Sequence, residues 1–510
     1  MKIKTLLTVL CAVLCSVSGY SQGFQDIPRR GFPKDEYVQQ SATRANGEYV
    51  LKNFLSTEKD TINVVIILAA FSDTVFSISE DSIRDLLSNR YNAEDYKEKV
   101  SFYEKSKAYG QHLGLEVDIP GSARDYFRDQ SFGKFVPRFD VIGPVTLGHP
   151  RKYYGGNSNG NDRNTGGMIS DACQKAFDLG LTDFTDYDND DDGIVDIVYV
   201  VYAGSDEAQT DNAPNKTPEM ADAVWAKASS ISLILGNGMK ISRYACSGEL
   251  LMDLPVVAGI GTFVHEFSHV LGLPDFYNTK GADFTMDVWS VMDYGMYNAE
   301  GFVPCGYTAF ERYSLGWIPM CTLERPDTME IDITDKEKTG YRIFTSTTPA
   351  DTASFYLMET IRKEGWNSWA PTEGLLISEV TYNKAAWTGN TVNAGTKHRY
   401  CIVPANNDYN YKTAKKHLFG RENDQFTLSS EPASITQFGA EMNKPLTEIN
   451  YDKGSGITSF LFCGGSSTDE IAEISIQAPS IGVVYDLQGR MVENPSKGVY
   501  IRDGKKVLIK

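Results

Sequence analysis

The sequence predicts an α/β (α+β) domain built on a twisted sheet and one buried helix, followed by an all-β module and a small β C-terminal domain. Three observations carry that expectation. Two unbroken apolar runs rich in branched residues, Asn63 to Phe71 and Ile194 to Tyr202, have the length of strands covered on both faces. Val256 to Leu271 is instead long enough for a largely buried helix. From about Glu324 to Cys463 the chain turns to short runs broken by Thr, Gly, Asn and Pro, as at Gly340 to Ser346 and Gly374 to Tyr382, a pattern of strands and turns.

Taken in order, Met1 to Ser21 has a positive start (Lys2, Lys4), an apolar run from Leu6 to Val17 and then Ser18, Gly19 and Ser21, the pattern of a secretory signal peptide. That run is far short of the ~20 residues that span a bilayer, and no other span is expected. Residues 22–60 are polar and mixed, as in a pro-segment or a surface arm. Within 61–323, Asn63 to Phe71 opens the sheet, Ser122 can cap a short amphipathic helix, Phe135 to Leu147 reads as extended, and Ser170 to Leu179 reads as a helix entering Gly180. Residues 324–463 form the β-rich module. In 464–510, the stretch Gly464 to Thr468 is a linker and Ile481 to Lys510 a compact tail with a hairpin signal at Asp503-Gly504.

The chain has 510 residues, a formal net charge of −18 and 23% charged residues, so it is globular in composition and repels phosphate backbones. A nucleic-acid partner is not expected on that ground. The terminal thirty residues invert the sign, with six Lys/Arg against three Asp/Glu. Beyond the signal, Cys173, Cys246, Cys305, Cys321, Cys401 and Cys463 remain, scattered too widely for a zinc cluster; one or two disulfides or buried free thiols are expected.

Among only six histidines, two stand four apart in His265-Glu266-Phe267-Ser268-His269. On a helix, four residues advance ~6 Å and return within ~40° of the same face, so both imidazoles reach one metal with Glu266 beside it. A continuing helix would carry Asp275 out of reach. Gly272 accepts the left-handed conformation that stops a helix and lets the chain double back, so that Asp275 completes a set of three. Glu311 or another downstream carboxylate is the competing third ligand. Three protein ligands leave a position for water, the catalytic zinc arrangement, with Glu266 as the general base that takes the water's proton and passes it to a leaving amine.

The segment HEFSHVLGLPDFY, followed by Trp289-Ser290-Val291-Met292-Asp293-Tyr294-Gly295, resembles a metzincin active site with its Met-turn, and most closely that of the immune inhibitor A family of secreted metallopeptidases. The resemblance implies a metzincin-like catalytic domain, with Met292 as the floor beneath the ligands. It also implies Tyr294 as a swinging ligand that stabilises the oxyanion, unless this residue is an ordinary core aromatic. Most metzincins carry histidine where Asp275 stands, whereas the immune inhibitor A family resembles this chain in having aspartate. Further similar stretches, from NVVIILAAFSD to EGLLISEVTYNKAAW, extend the resemblance over about residues 60 to 465. The tail VVYDLQGRMVENPSKGVYIRDGKKVLIK resembles the C-terminal sorting domains of type IX secretion, which implies a partnership with export machinery and a secreted or surface-retained product.

A second ion site is expected at Asp188-Asn189-Asp190-Asp191-Asp192-Gly193-Ile194-Val195-Asp196. Carboxylates at positions one, three, five and nine with glycine at six match the first part of a calcium loop, the position-twelve glutamate being replaced by Tyr199. Asp188, Asp190, Asp192 and Asp196, with the Ile194 carbonyl, are the expected structural calcium ligands, and a solvated acidic turn is the alternative. Residues 22–60 hold no cysteine, so a carboxylate such as Asp26 or Asp35 is the expected zinc cap of a zymogen. The functional expectation is a secreted, monomeric zinc endopeptidase acting on proteins or peptides. The alternatives are a catalytically degenerate surface adhesin or glycan-binding protein, and a hydrolase of non-peptide amides.

Overall fold

The computed structural model describes residues 42–45, 48–51, 62–88, 99–110, 112–158, 160–334, 340–345, 353–465, 484–486, 491–492, 497–502 and 505–509. The expected signal peptide, Asp26, Asp35 and the Asp503-Gly504 turn lie outside the described residues.

Strand β1 (Ile62–Ala70) is the apolar run foreseen at Asn63. Val64, Ile66 and Leu68 enter one apolar cluster and Val65, Ile67 and Ala69 another, which is why the run shows no polar alternation. Helix α1 (Ala123–Gln130) begins in a capping box: Ser122 Oγ accepts the Asp125 N–H, and the Asp125 carboxylate accepts the Ser122 N–H at 2.9 Å. Strand β2 (Pro137–Thr146) follows, then helix α2 (Thr165–Asp178), which starts five residues earlier than the sequence suggested. Strand β3 (Val198–Ser205) is preceded by the two-residue strand Ile194–Val195, so the second apolar run is split at Asp196. Strands β4 (Lys227–Ile234) and β5 (Lys240–Leu250) complete a sheet of order β4-β5-β3-β1-β2, parallel except for the antiparallel edge strand β4.

Helix α3 (Ile260–Leu271) lies on the sheet with all twelve residues buried. It starts four residues later than expected because Val256 and Val257 pair back onto Leu251 and Leu250. In its first turn Gly261 has no room for a side chain: a Cβ there would lie 1.8 Å from the Met296 carbonyl oxygen.

After the short helix α4 (Ala309–Ser314) come β6 (Tyr341–Phe344), β7 (Ser354–Ile361), β8 (Gly374–Thr381), the one-turn helix α5 (Lys384–Thr388) and β9 (Tyr400–Ile402). With Cys321–Thr322 these four strands form a five-stranded sheet, antiparallel from β6 to β9. A three-stranded antiparallel sheet, Asp327–Ile331, Ile457–Phe462 and Leu446–Asp452, shares its far-side core. Phe355, Leu357, Trp387 and Tyr400 on the near side join the cluster that holds Val264 and Phe267 of α3, so apolar packing runs without a break across residue 324. Residues 1–464 make one compact unit and 465–510 a second, whose described strands form a four-stranded antiparallel sheet. The six cysteines after the signal are free thiols, four of them buried. No described helix is long and apolar enough to cross a membrane.

Candidate metal centre

Gly272 ends α3 with φ of +107°, and the backbone N–H groups of Gly272 and Leu273 both reach the Ser268 carbonyl at 3.0 Å. The chain therefore reverses within three residues of His269. That reversal brings the Leu273 carbonyl to 2.7 Å from His269 Nδ1, while the Val291 carbonyl meets His265 Nδ1 at 2.8 Å. A backbone carbonyl only accepts, so each Nδ1 carries the proton and, in the neutral rings, each Nε2 presents a lone pair.

These lone pairs face one another. The two Nε2 atoms lie 3.2 Å apart, and Asp275 Oδ1 stands 3.4 Å from that of His265 and 3.1 Å from that of His269. All three residues are buried, and Asp275 Oδ1 has no hydrogen-bond partner. Three buried acceptors this close repel one another unless a cation lies among them. The donor set present thus fits a divalent metal, with one carboxylate and two imidazoles as ligands. Glu311, the competing ligand, is engaged elsewhere: it accepts from Ser290 Oγ and the Thr308 N–H, each at 2.5 Å, and burial raises its pKa to about 7.

Glu266 is fully buried beside His265. Burial first, and then the charge of Glu266, hold the Tyr199 hydroxyl well above the ordinary tyrosine range. Met292 is fully buried in the same cluster as α3, and its carbonyl accepts the Phe276 N–H at 2.9 Å, tying the turn to the segment that carries Asp275. Tyr294 is half-buried at the start of a 3-10 helix, its ring 6.2 Å from that of Tyr297.

Two supports had no sequence signal. Asp293 collects the Thr285 hydroxyl and the N–H groups of Met286, Asp287 and Tyr294 between 2.6 and 3.0 Å, and burial, followed by the charge of Asp287, lifts its pKa to about 6. Asn390 lies 115 residues beyond Asp275 and bonds both its backbone N–H and its carboxylate. An asparagine after a one-turn helix is too common a feature to have been singled out.

In the acidic loop the carboxylate oxygens of Asp188, Asp190 and Asp192 converge within 4.8 Å. Asp188 already accepts the Asp192 and Gly193 N–H groups at 3.0 and 2.8 Å, and Asp192 Oδ1 accepts that of Ile194 at 2.8 Å. Asp196 is not in the group: its Oδ2 takes the backbone and side-chain N–H of Asn189 at 2.7 and 2.9 Å, and Asn189 in turn bonds Asn63 in β1. Burial, aided by the charges of Asp190 and Asp188, raises the Asp196 pKa.

A family model described as the catalytic domain of the immune inhibitor A peptidase M6 matches residues 52–317. The chain is also similar to the pre-pro-metalloprotease PrtV of Vibrio cholerae serotype O1, 23% identical over 287 residues, and to the immune inhibitor A of Bacillus thuringiensis subsp. alesti, 24% identical over 258 residues. These alignments take in 51% and 46% of this chain and only 30% and 36% of the respective relatives.

Proposed function

This chain belongs to the immune inhibitor A family of M6 metallopeptidases, and on that premise we propose that it is a secreted zinc endopeptidase that hydrolyses peptide bonds of extracellular proteins. The observation that carries the reading is the convergence of His265 Nε2, His269 Nε2 and Asp275 Oδ1 beside a buried Glu266. Two buried carboxylates and two neutral imidazoles are balanced by a dication, and mixed nitrogen and oxygen ligands suit zinc. When bound there, zinc supplies Lewis acidity toward a peptide carbonyl and acidifies a coordinated water. Glu266 then serves as the proton carrier, removing the water's proton and delivering it to the departing amine. Asp275 is the third ligand, Met292 fills the space beneath the set, and Tyr294 stabilises the oxyanion.

The same reading takes residues 22–60 as a pro-segment, Asp188, Asp190 and Asp192 with the Ile194 carbonyl as a structural calcium site that leaves Asp196 to Asn189, and the 464–510 tail as an export domain. The chain acts as a monomer. Casein cleavage by the parent and by Glu266→Ala, with zinc measured in both preparations, tests the central claim. Cleavage by the parent alone with about one zinc in each supports it, and absence of zinc from both overturns it. Calcium that leaves the melting temperature unchanged would remove the calcium assignment.

A further inference from the structure

Gly272 frees the chain to turn, but a free turn does not hold a carboxylate in place. The hold comes from the region after residue 324. Asn390 Oδ1 accepts the Asp275 N–H at 2.7 Å and its Nδ2 donates to Asp275 Oδ2 at 2.5 Å, so both ends of one amide are spent on one residue. The amide fixes the plane of the carboxylate and leaves Oδ1 facing the two histidine Nε2 atoms. Neighbouring residues extend the grip along the same segment. The Asn390 carbonyl accepts from Thr279 Oγ1 at 3.4 Å, Asn393 Nδ2 donates to the Phe276 carbonyl at 2.6 Å, and the Gly395 carbonyl accepts from Asn278 Nδ2 at 3.3 Å.

Asparagine suits this position twice over. The backbone at 390 is left-handed, with φ of 51°, a conformation asparagine tolerates better than most side chains. Its amide offers an acceptor to an N–H and a donor to a carboxylate at the spacing needed, whereas aspartate would set oxygen against oxygen. We propose that Asn390 is a positioning residue for the third metal ligand, through which the β-rich region forms part of the metal centre. This rests on the reading that His265, His269 and Asp275 hold a divalent metal.

Metal-free full-length parent, Asn390→Gly, Asn390→Asp and Asn407→Gly are titrated with zinc against a chromophoric chelator and with cobalt followed by visible absorption. Glycine removes the amide while permitting the same backbone, and Asn407, exposed and also left-handed at φ of 52°, controls for the loss of such an asparagine elsewhere. The zinc dissociation constant should rise by about 10- to 100-fold in both Asn390 variants, with an altered cobalt spectrum, and stay at the parent value in Asn407→Gly. Should Asn390→Gly not fold, the near-isosteric Asn390→Asp decides. Variants that melt lower without metal yet keep the parent's zinc affinity and cobalt spectrum would show a merely structural residue and overturn the inference. A parent that binds neither metal overturns the underlying metal reading instead.

Discussion

His265, His269 and Asp275 lie inside the core, each hydrogen-bonded to a buried partner, whereas Asp188, Asp190 and Asp192 line a turn whose own backbone amides already bond Asp188 and Asp192. In the first group the lone pairs point at one another among buried residues. In the second, Asp190 and Asp192 are exposed and water competes for every oxygen. Burial therefore makes the first group costly without a cation and sensitive to the residues behind it. The acidic turn can stand with its charges solvated.

The largest effect should come from a change that leaves the buried ligands intact. Glu266→Gln is expected to lower kcat/KM by about two to four orders of magnitude at unchanged metal content, read from peptide hydrolysis and elemental analysis. Equal losses of activity and metal would mean that Glu266 belongs to the ligand set, which would blur the contrast between support and chemistry.

Metal removal separates the two groups next. With free metal about a thousandfold above its dissociation constant, the buried centre should contribute roughly 4 kcal/mol to stability, seen as a large drop in melting temperature after treatment with a zinc-selective chelator. A chelator selective for calcium should produce a smaller drop. The reverse order would move the structural weight to the acidic turn.

Protonation tests whether the support behind the centre responds as buried groups do. Glu311 bonds Ser290, the residue before the Val291 carbonyl that orients His265, and its pKa is about 7 against an ordinary 4.5. Between those values the native state holds a proton that the unfolded chain has lost. The contribution is therefore fully present below about pH 4.5 and is lost as pH rises to about 7. Glu311→Gln has no such proton, so its stability relative to the parent should grow by at most about 3 kcal/mol across that window, measured by urea denaturation at pH 5 and pH 8. A gap that does not change with pH would exclude Glu311 as a source of pH dependence.

The smallest expected effect is on the turn. Asp190→Asn should alter stability by less than about 0.5 kcal/mol without calcium and should abolish any calcium-dependent rise in melting temperature. A large loss without calcium would break the contrast, since the turn would then depend on that carboxylate alone.

The same contrast explains which features could be read from the sequence. His265 and His269 are four apart on one helix and Gly272 stands at the turn, so local periodicity and one conformational rule locate them. Asp275 follows from the reversal. Asn390 could not be located this way, because its role exists only once a segment 115 residues downstream packs against the ligand turn. The beginning of α3 is hidden from the sequence for a related reason: Val256 and Val257 are as apolar as the helix, and only their pairing with Leu251 and Leu250 keeps them out of it. The β-rich texture after residue 324 was legible from its turns. The apolar cluster that joins Phe355 and Trp387 to α3 was not, since composition does not say which faces meet.

The 115 residues that separate Asp275 from Asn390 also set a time. At synthesis rates of about 5–20 residues per second, Asp275 is made roughly 6 to 23 s before the Asn390 amide that bonds it. During that interval an emerging chain carries His265, Glu266, His269 and Asp275 without the Asn390 amide that bonds Asp275 in the finished fold.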